Sequence, residues 1–361
     1  MNTEVGKLLQ EITDLSHTFG TPDFVKGGGG NTSCKTSDTL WVKPSGTTLS
    51  GLTPETFVVM DRSRLRKLFE LEIPADKTAR EALVKNVMAA AVRPGQTARP
   101  SVEAPLHEIL TKRFVVHTHA VLVNGMTCAR DGETLCRRLF PDALWIPYID
   151  PGFTLCVEVN HRIAEYRGHH GRDPQVIILE NHGIFVSGDN AAEIRALYHS
   201  VLEPLAQAYA KADVATTLRQ GTPTRMGKDV AQDNQFHALL GGDAAAAVSA
   251  APCQVAEGPL TPDHIVYAKA FPYIGELTPE GLAKFRARHG YAPRVISTQA
   301  GVFGVGATPR VAQLALDLAM DGALVQQLTA AFGGTRFLSD VARDFIETWE
   351  VEAYRAKQMS Y

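Results

Sequence analysis

Apolar residues recur at helical spacing from the start of the chain: Val5, Leu8, Leu9, Ile12 and Leu15 fall on one face among mixed charges. This is an amphipathic helix packed on a core, without the features of a secretory signal peptide. The periodicity then changes. A glycine run, Lys26-Gly27-Gly28-Gly29-Gly30-Asn31-Thr32-Ser33, leads into short β-rich stretches at Thr39–Val42 and Thr56–Met60, which flank Pro44-Ser45-Gly46. Strands and tight turns are predicted there. Helical spacing returns over Thr78–Val92, which stops at Pro94-Gly95, and over Val102–Lys112, where Ser101 is a suitable N-cap. Phe114–His119 and Gln175–Leu179 are bounded β-branched runs, and the second is the best candidate for a buried strand. Ala191–Lys211 reads as a long helix. The alternation predicts an α/β fold, and taken alone suggests βαβ units with a parallel sheet.

After about Asp213 the pattern weakens. Thr216–Asp229 is polar with Gly and Pro, and Gly241–Ala251 is rich in alanine. Three segments are therefore expected: residues 1–214 as a main domain, 215–257 as a connecting region with a short helix over Val230–Leu240, and 258–361 as a smaller α/β unit. The last unit carries a faint echo of the first. Ile178 to Gly188 set over Ile296 to Gly306, an ungapped offset of 118, superimposes Ile, Gly, Phe and Gly, and an Ala/Leu-rich helix follows each stretch. Ala300 stands where the first copy has His182. Either the second unit is a degenerate repeat, or both stretches show the common pattern of a buried strand followed by glycine and a helix.

Composition narrows the classes. The chain has 361 residues, 45% apolar and 21% charged, with a net charge of −3. That is a globular balance with no general electrostatic drive toward nucleic acid or an anionic membrane, so a small-molecule ligand is expected. No run is long and apolar enough to span a bilayer. The five cysteines are scattered and form no CxxC pair, which fits a reducing cytoplasm better than a disulfide framework or a thiolate zinc site.

Candidate chemistry centres on histidine. Side chains alternate along a strand, so His117 and His119 point the same way and can share one cation; two histidines bonded to backbone carbonyls would explain the pair equally well. His182, in Glu180-Asn181-His182-Gly183, ends a predicted strand where glycine permits a sharp turn. Three imidazoles from two strand ends make a catalytic metal set with an open position. Glu103 opens a predicted helix that leads into the His-x-His strand, so it either caps that helix or reaches the metal, while His107 one turn on reads as packing or an outer hydrogen-bond partner. The glycine run, Pro44-Ser45-Gly46-Thr47 and Ser101 offer amides and hydroxyls for a phosphate, but no Walker loop, dinucleotide fingerprint or GxSxG elbow is present. His161, His199, His237 and His289 lack partners by spacing, and His169-His170, between Gly168 and Gly171, reads as a surface loop.

Gly-Asn-Thr-Ser at 30–33, Ser45-Gly46, Pro-Ser-x-Glu at 100–103, His-x-His-Ala at 117–120 and Asn-His-Gly at 181–183, in that order, resemble the class II aldolase/adducin family over roughly residues 5–215. The resemblance implies an α/β/α sandwich around a mostly antiparallel central sheet, and a homotetramer with active sites at subunit interfaces. It implies that His117, His119 and His182 bind Zn2+ or another divalent metal, and that Glu103 is the catalytic acid/base. Gly30, Asn31, Ser45, Gly46 and Ser101 fall where the family holds the phosphate of a small phosphorylated sugar. Val102 stands where a second hydroxyl is often found. Tyr148, in Ile146-Pro147-Tyr148-Ile149-Asp150, is a candidate proton donor. Glu257 to His264 and Asp340 to Lys357 are similar to the aldolase part of bifunctional rhamnulose-1-phosphate aldolase/short-chain dehydrogenase proteins. No dehydrogenase activity is expected of the present chain. The implied reaction is carbon–carbon cleavage of a ketose-1-phosphate; 4-epimerisation, decarboxylation or dehydration at the same metal site, and a non-catalytic adducin-like binding module, are the alternatives.

Overall fold

The computed structural model describes residues 3–222 and 236–349. Residues up to Ala120 together with Cys136–Glu203 make one compact unit, and Val121–Leu135 with the chain from Pro204 onward make another. Among the described residues no helix is long and apolar enough to cross a membrane.

The first unit opens with α1 (Thr3–Thr18), whose Leu8, Leu9, Ile12 and Leu15 are buried as the spacing requires. Next come β1 (Asn31–Lys35), β2 (Thr39–Val42), β3 (Val58–Asp61), α2 (Arg62–Arg66), α3 (Lys77–Ala91), α4 (Ala104–Ile109) and β4 (Phe114–Thr118). The chain then passes through α5 (Val121–Thr127) and α6 (Gly132–Leu139). It returns in β5 (Leu144–Ile146), α7 (Phe153–His170), β6 (Val176–Leu179), β7 (Gly183–Gly188) and α8 (Ala191–Lys211). The seven strands lie in the order β3-β2-β1-β4-β7-β6-β5, and every neighbouring pair is antiparallel except β5 with β6. The parallel sheet suggested by simple alternation is thus corrected. Only residues 180–182 separate β6 from β7, and so short a link can join only antiparallel strands.

Helices cover both faces. Val115, Ile177 and Phe185 share a core with Leu106 of α4 and Val159 and Ile163 of α7, while Thr118 on the other side of β4 hydrogen-bonds the buried Tyr198 of α8. The helix expected over Val102–Lys112 is shorter than the pattern suggests. The Lys35 ammonium donates to the carbonyls of His107 and Leu110, taking the place of the amides a further helical turn would supply.

In the second unit residues 236–240 are helical, whereas 230–235 of the expected helix lie outside the described residues, as do 350–357 of the closing stretch. Beyond them come β8 (Ala246–Ala250), α9 (Pro262–Ala268), β9 (Tyr273–Ile274), α10 (Pro279–His289), β10 (Val295–Ser297), β11 (Val302–Gly306), α11 (Pro309–Thr329) and α12 (Asp340–Thr348). The alanine-rich stretch expected to be a connection is a strand. β8 gains its place by antiparallel pairing with β11 in a sheet ordered β8-β11-β10-β9, where β10 runs antiparallel to β11 and parallel to β9. α11 lies tight on β11 because a Cβ at Gly304 would sit 2.2 Å from the Ala312 carbonyl oxygen. α5 packs on α11.

Candidate metal centre

β4 is the central strand of the first sheet. Its register sets His117 opposite Asn31 of β1 and Phe185 of β7, and the His117 ring stacks on Phe185 at 3.9 Å. His119 lies one residue past the strand end, where its amide bonds the Phe24 carbonyl, and its Nε2 is 3.0 Å from that of His117. His182 arrives from the β6–β7 turn, which Asn181 closes in the left-handed region at φ 50°. The next residue has no room for a side chain: a Cβ at Gly183 would come within 2.4 Å of the Thr118 carbonyl oxygen and 2.9 Å of His119 Cδ2. Three ring nitrogens, one from each histidine, lie within 4.8 Å of one another. His117 donates from Nδ1 to the Ile184 carbonyl at 2.9 Å, which leaves the lone pair on Nε2 facing the other rings.

Glu103 sits at the N-terminus of α4, yet its side chain caps no helical amide. It turns to the histidines instead. Oε2 is 3.5 Å from His117 Nε2 and Oε1 is 3.7 Å from His182 Nε2; the carboxylate is buried, and Oε1 accepts no hydrogen bond. The donor set fits a divalent cation: bonds of about 2.1 Å at tetrahedral angles separate ligand nitrogens by roughly 3.4 Å, and a nearby cation compensates a buried carboxylate oxygen that no donor reaches.

The residues matched to a phosphate site fall on three segments, Gly30-Asn31, Ser45-Gly46 and Ser101, and the last two adjoin. Lys43–Ser45 runs beside Arg99–Ser101, with Ser45 N–H bonded to the Arg99 carbonyl and Ser101 N–H to that of Lys43. Gly30 and Gly46 both take positive φ, at 65° and 78°, and at Gly30 a Cβ would strike the His117 carbonyl oxygen at 2.7 Å. Ser101 Oγ accepts from the Glu103 amide at 3.3 Å. Asn31 is buried, with Nδ2 2.5 Å from Glu103 Oε2. The Tyr148 hydroxyl donates to Asp150 at 3.3 Å, and burial beside Asp150 pushes its pKa up.

A model of the Class II Aldolase and Adducin N-terminal domain matches residues 10–210, more than half of the chain. The chain belongs to this family. Over 199 residues the chain is 27% identical to an uncharacterized oxidoreductase, YuxG, of Bacillus subtilis; the match covers 52% of this chain and 27% of that protein. The chain therefore spans about a quarter of that relative's length. Among solved structures, the N-terminal class II aldolase domain of a conserved protein from Thermoplasma acidophilum is 26% identical with a TM-score of 0.47, covering 55% of this chain and 92% of that one. An L-fuculose-1-phosphate aldolase from Thermus thermophilus is 15% identical with a TM-score of 0.37, covering 58% and 96%.

Two buried groups around this site, Lys43 and Lys35, escape the sequence reading, and a third, His107, is the outer hydrogen-bond partner it expected. Lys43 points its ammonium to the Gly28 carbonyl at 3.3 Å, which places a buried cation beside the glycine run. Lys35 lies under α4, and burial pushes its pKa down to about 7 against the opposing pull of Glu108. His107 bonds both Ser33 and Asn31. The available signal is alternation: Asn31, Ser33 and Lys35 share one face of β1, and all three turn polar atoms toward α4.

Proposed function

We propose that the chain is a zinc-dependent aldolase that cleaves a ketose-1-phosphate to dihydroxyacetone phosphate and an aldehyde. The observation that carries this reading is a buried carboxylate, Glu103, set among three convergent imidazoles with one oxygen left without a hydrogen bond. A divalent cation held by His117, His119 and His182 supplies the positive charge that the substrate oxygens need as the carbon–carbon bond breaks or forms.

The chain's own residues do the rest. In the condensation direction Glu103 takes a proton from C3 of dihydroxyacetone phosphate, the electron pair of that C–H bond makes the new bond to the aldehyde carbon, and the aldehyde oxygen takes a proton from Tyr148. Cleavage is the reverse, with Glu103 returning the proton to C3. The Tyr148 phenol carries a proton at neutral pH that it can give, and burial beside Asp150, by raising its pKa, makes it a weaker acid than an exposed tyrosine. Gly30, Asn31, Ser45, Gly46 and Ser101 hold the phosphate through amides and hydroxyls, Asn31 having a second amide hydrogen beyond the one given to Glu103. A cytoplasmic homotetramer is proposed as the working form.

The test is metal analysis of the purified protein, followed by assay of the zinc-loaded form on phosphorylated ketoses and 3-oxo acid phosphates. Release of triose phosphate supports the aldolase. Carbon dioxide, an epimer or a dehydrated product reassigns the reaction, and a metal-free protein inert on every compound leaves a binding module.

A further inference from the structure

The face of β1 that carries Asn31 also carries Ser33, and between the two lies the imidazole of His107, fully buried and two bonds removed from Glu103. His107 Nδ1 is 2.6 Å from Ser33 Oγ, and Nε2 contacts Asn31 Oδ1. An amide oxygen can only accept, so the ring proton is on Nε2, and Nδ1 is the acceptor of the Ser33 hydroxyl. The ring is held neutral: burial first and then the nearby Lys35 charge push its pKa well below the ordinary value. With Oδ1 committed to His107, the Asn31 amide has one orientation, in which Nδ2 faces Glu103 Oε2 at 2.5 Å. The flipped amide would set its oxygen against a carboxylate and its N–H2 against an N–H. Each donor in the row Ser33, His107, Asn31 therefore points toward Glu103, and the row ends on one carboxylate oxygen.

We propose that His107 is a positioning residue for Glu103: its Nε2–H tautomer locks the Asn31 amide, which pins Oε2 and leaves Oε1 as the oxygen that exchanges a proton with substrate. This rests on the reading of Glu103 as the proton-transfer group. The geometry gives each member one task. Ser33 selects the tautomer, His107 selects the amide orientation, and Asn31 fixes the carboxylate, so that a group on a short helix end is held as firmly as one on a strand.

Two variants separate positioning from packing. His107→Leu removes both ring bonds, whereas His107→Gln keeps a donor near the position of Nε2. With a phosphorylated ketose, His107→Leu is expected to lower kcat by ~10–10²-fold while KM and bound metal stay near wild type, and His107→Gln to recover most of the loss. Normal kcat in His107→Leu, or equal losses in both variants tracking their melting temperatures, overturns the proposal. A second readout needs no turnover. Imidazole 15N spectra of the wild-type protein are expected to show a protonated Nε2 and an unprotonated Nδ1 at His107, with an Asn31 side-chain amide that exchanges slowly with solvent and faster in His107→Leu. An Nδ1–H tautomer, an imidazolium or an Asn31 amide whose exchange with solvent is as fast as that of an exposed asparagine refutes the lock even in a protein that cleaves no sugar phosphate. Inactive wild-type protein with the expected spectra removes the aldolase reading and the proton-transfer role, while the lock on the carboxylate stands.

Discussion

The four strands β4-β7-β6-β5 of the first unit and β8-β11-β10-β9 of the second have the same order and the same directions, and both helices that follow the hairpins, α8 and α11, are 21 residues long. The hairpin registers differ by one, Ile178 pairing with Ile184 but Ile296 with Phe303, whereas β8 meets β11 in the register in which β4 meets β7. Phe114 pairs with Gly188 and Ala246 with Gly306; His117 pairs with Phe185 and Ser249 with Phe303; Thr118 pairs with Ile184 and Ala250 with Val302. Even the crowded glycine recurs: a Cβ at Gly301 would lie 2.6 Å from the Ala250 carbonyl oxygen, as one at Gly183 would from that of Thr118 at 2.4 Å. At the positions of the three histidines, however, the second unit has Ser249, Ala251 and Ala300 where the first has His117, His119 and His182. The fold evidently does not require the histidines. Burying imidazoles costs desolvation, and in the first unit they lie with groups from β1 and α4, for which the second sheet has no counterpart among the described residues. Glu103 and Asn31 come from those missing parts.

The comparison can be broken most forcefully at the ligands. Replacing His117, His119 or His182 by alanine is expected to remove most of the bound metal and with it all measurable turnover, in a chain that still folds; full stoichiometric metal in the triple variant would refute the assignment. Next in size is Glu103→Gln. Loss of a general acid–base lowers turnover by ~10²–10⁴-fold, with metal content and melting temperature nearly unchanged, because the Glu103 side chain caps no amide. A variant that turned over normally would take Glu103 out of the mechanism.

The paired glycines sharpen the contrast. Gly183→Ala and Gly301→Ala each push a methyl group into a backbone carbonyl and are expected to destabilise by about 1–3 kcal/mol in calorimetric or denaturant unfolding. Only Gly183→Ala should also weaken metal retention, since it displaces His119; equal effects on metal would show that the second sheet influences the site.

The smallest effect is a pH slope. Lys35 has its folded pKa lowered to about 7 from 10.5, so the native state sheds its proton first. Between those values the unfolded chain binds more protons, and stability rises with pH; below 7 the full cost of burying the charge is present. Denaturant titrations from pH 7 to 9 should therefore show a gain in wild type that Lys35→Met lacks. Parallel slopes would assign the gain to other groups.

Much of this comparison can be read from sequence because it rests on local spacing. His117 and His119 share a face by strand alternation, His182 is marked by the glycine after it, and the offset of 118 that aligns Ile178 with Ile296 also aligns both ends of α8 with those of α11. What escaped depends on partners far along the chain. β1 reads as a polar turn after a glycine run, and its role appears only when His107, 74 residues from Ser33, comes to lie against it. β8 is alanine-rich, with little β-propensity of its own, and is a strand because β11 offers it an edge. Nothing local to 121–135 signals that it belongs with residues beyond 204.

That last feature bears on how the gene tolerates interruption. A stop codon after α8 would spare every residue of the proposed metal centre, yet the shortened product would still carry α5, whose Val123 and Met126 are fully buried and whose Gly125 lies where any side chain would collide with Leu328 of α11. Without α11 that surface meets water as an apolar patch and a site for aggregation. The second unit is thus not a cassette that deletion can remove cleanly, because part of it is encoded inside the first.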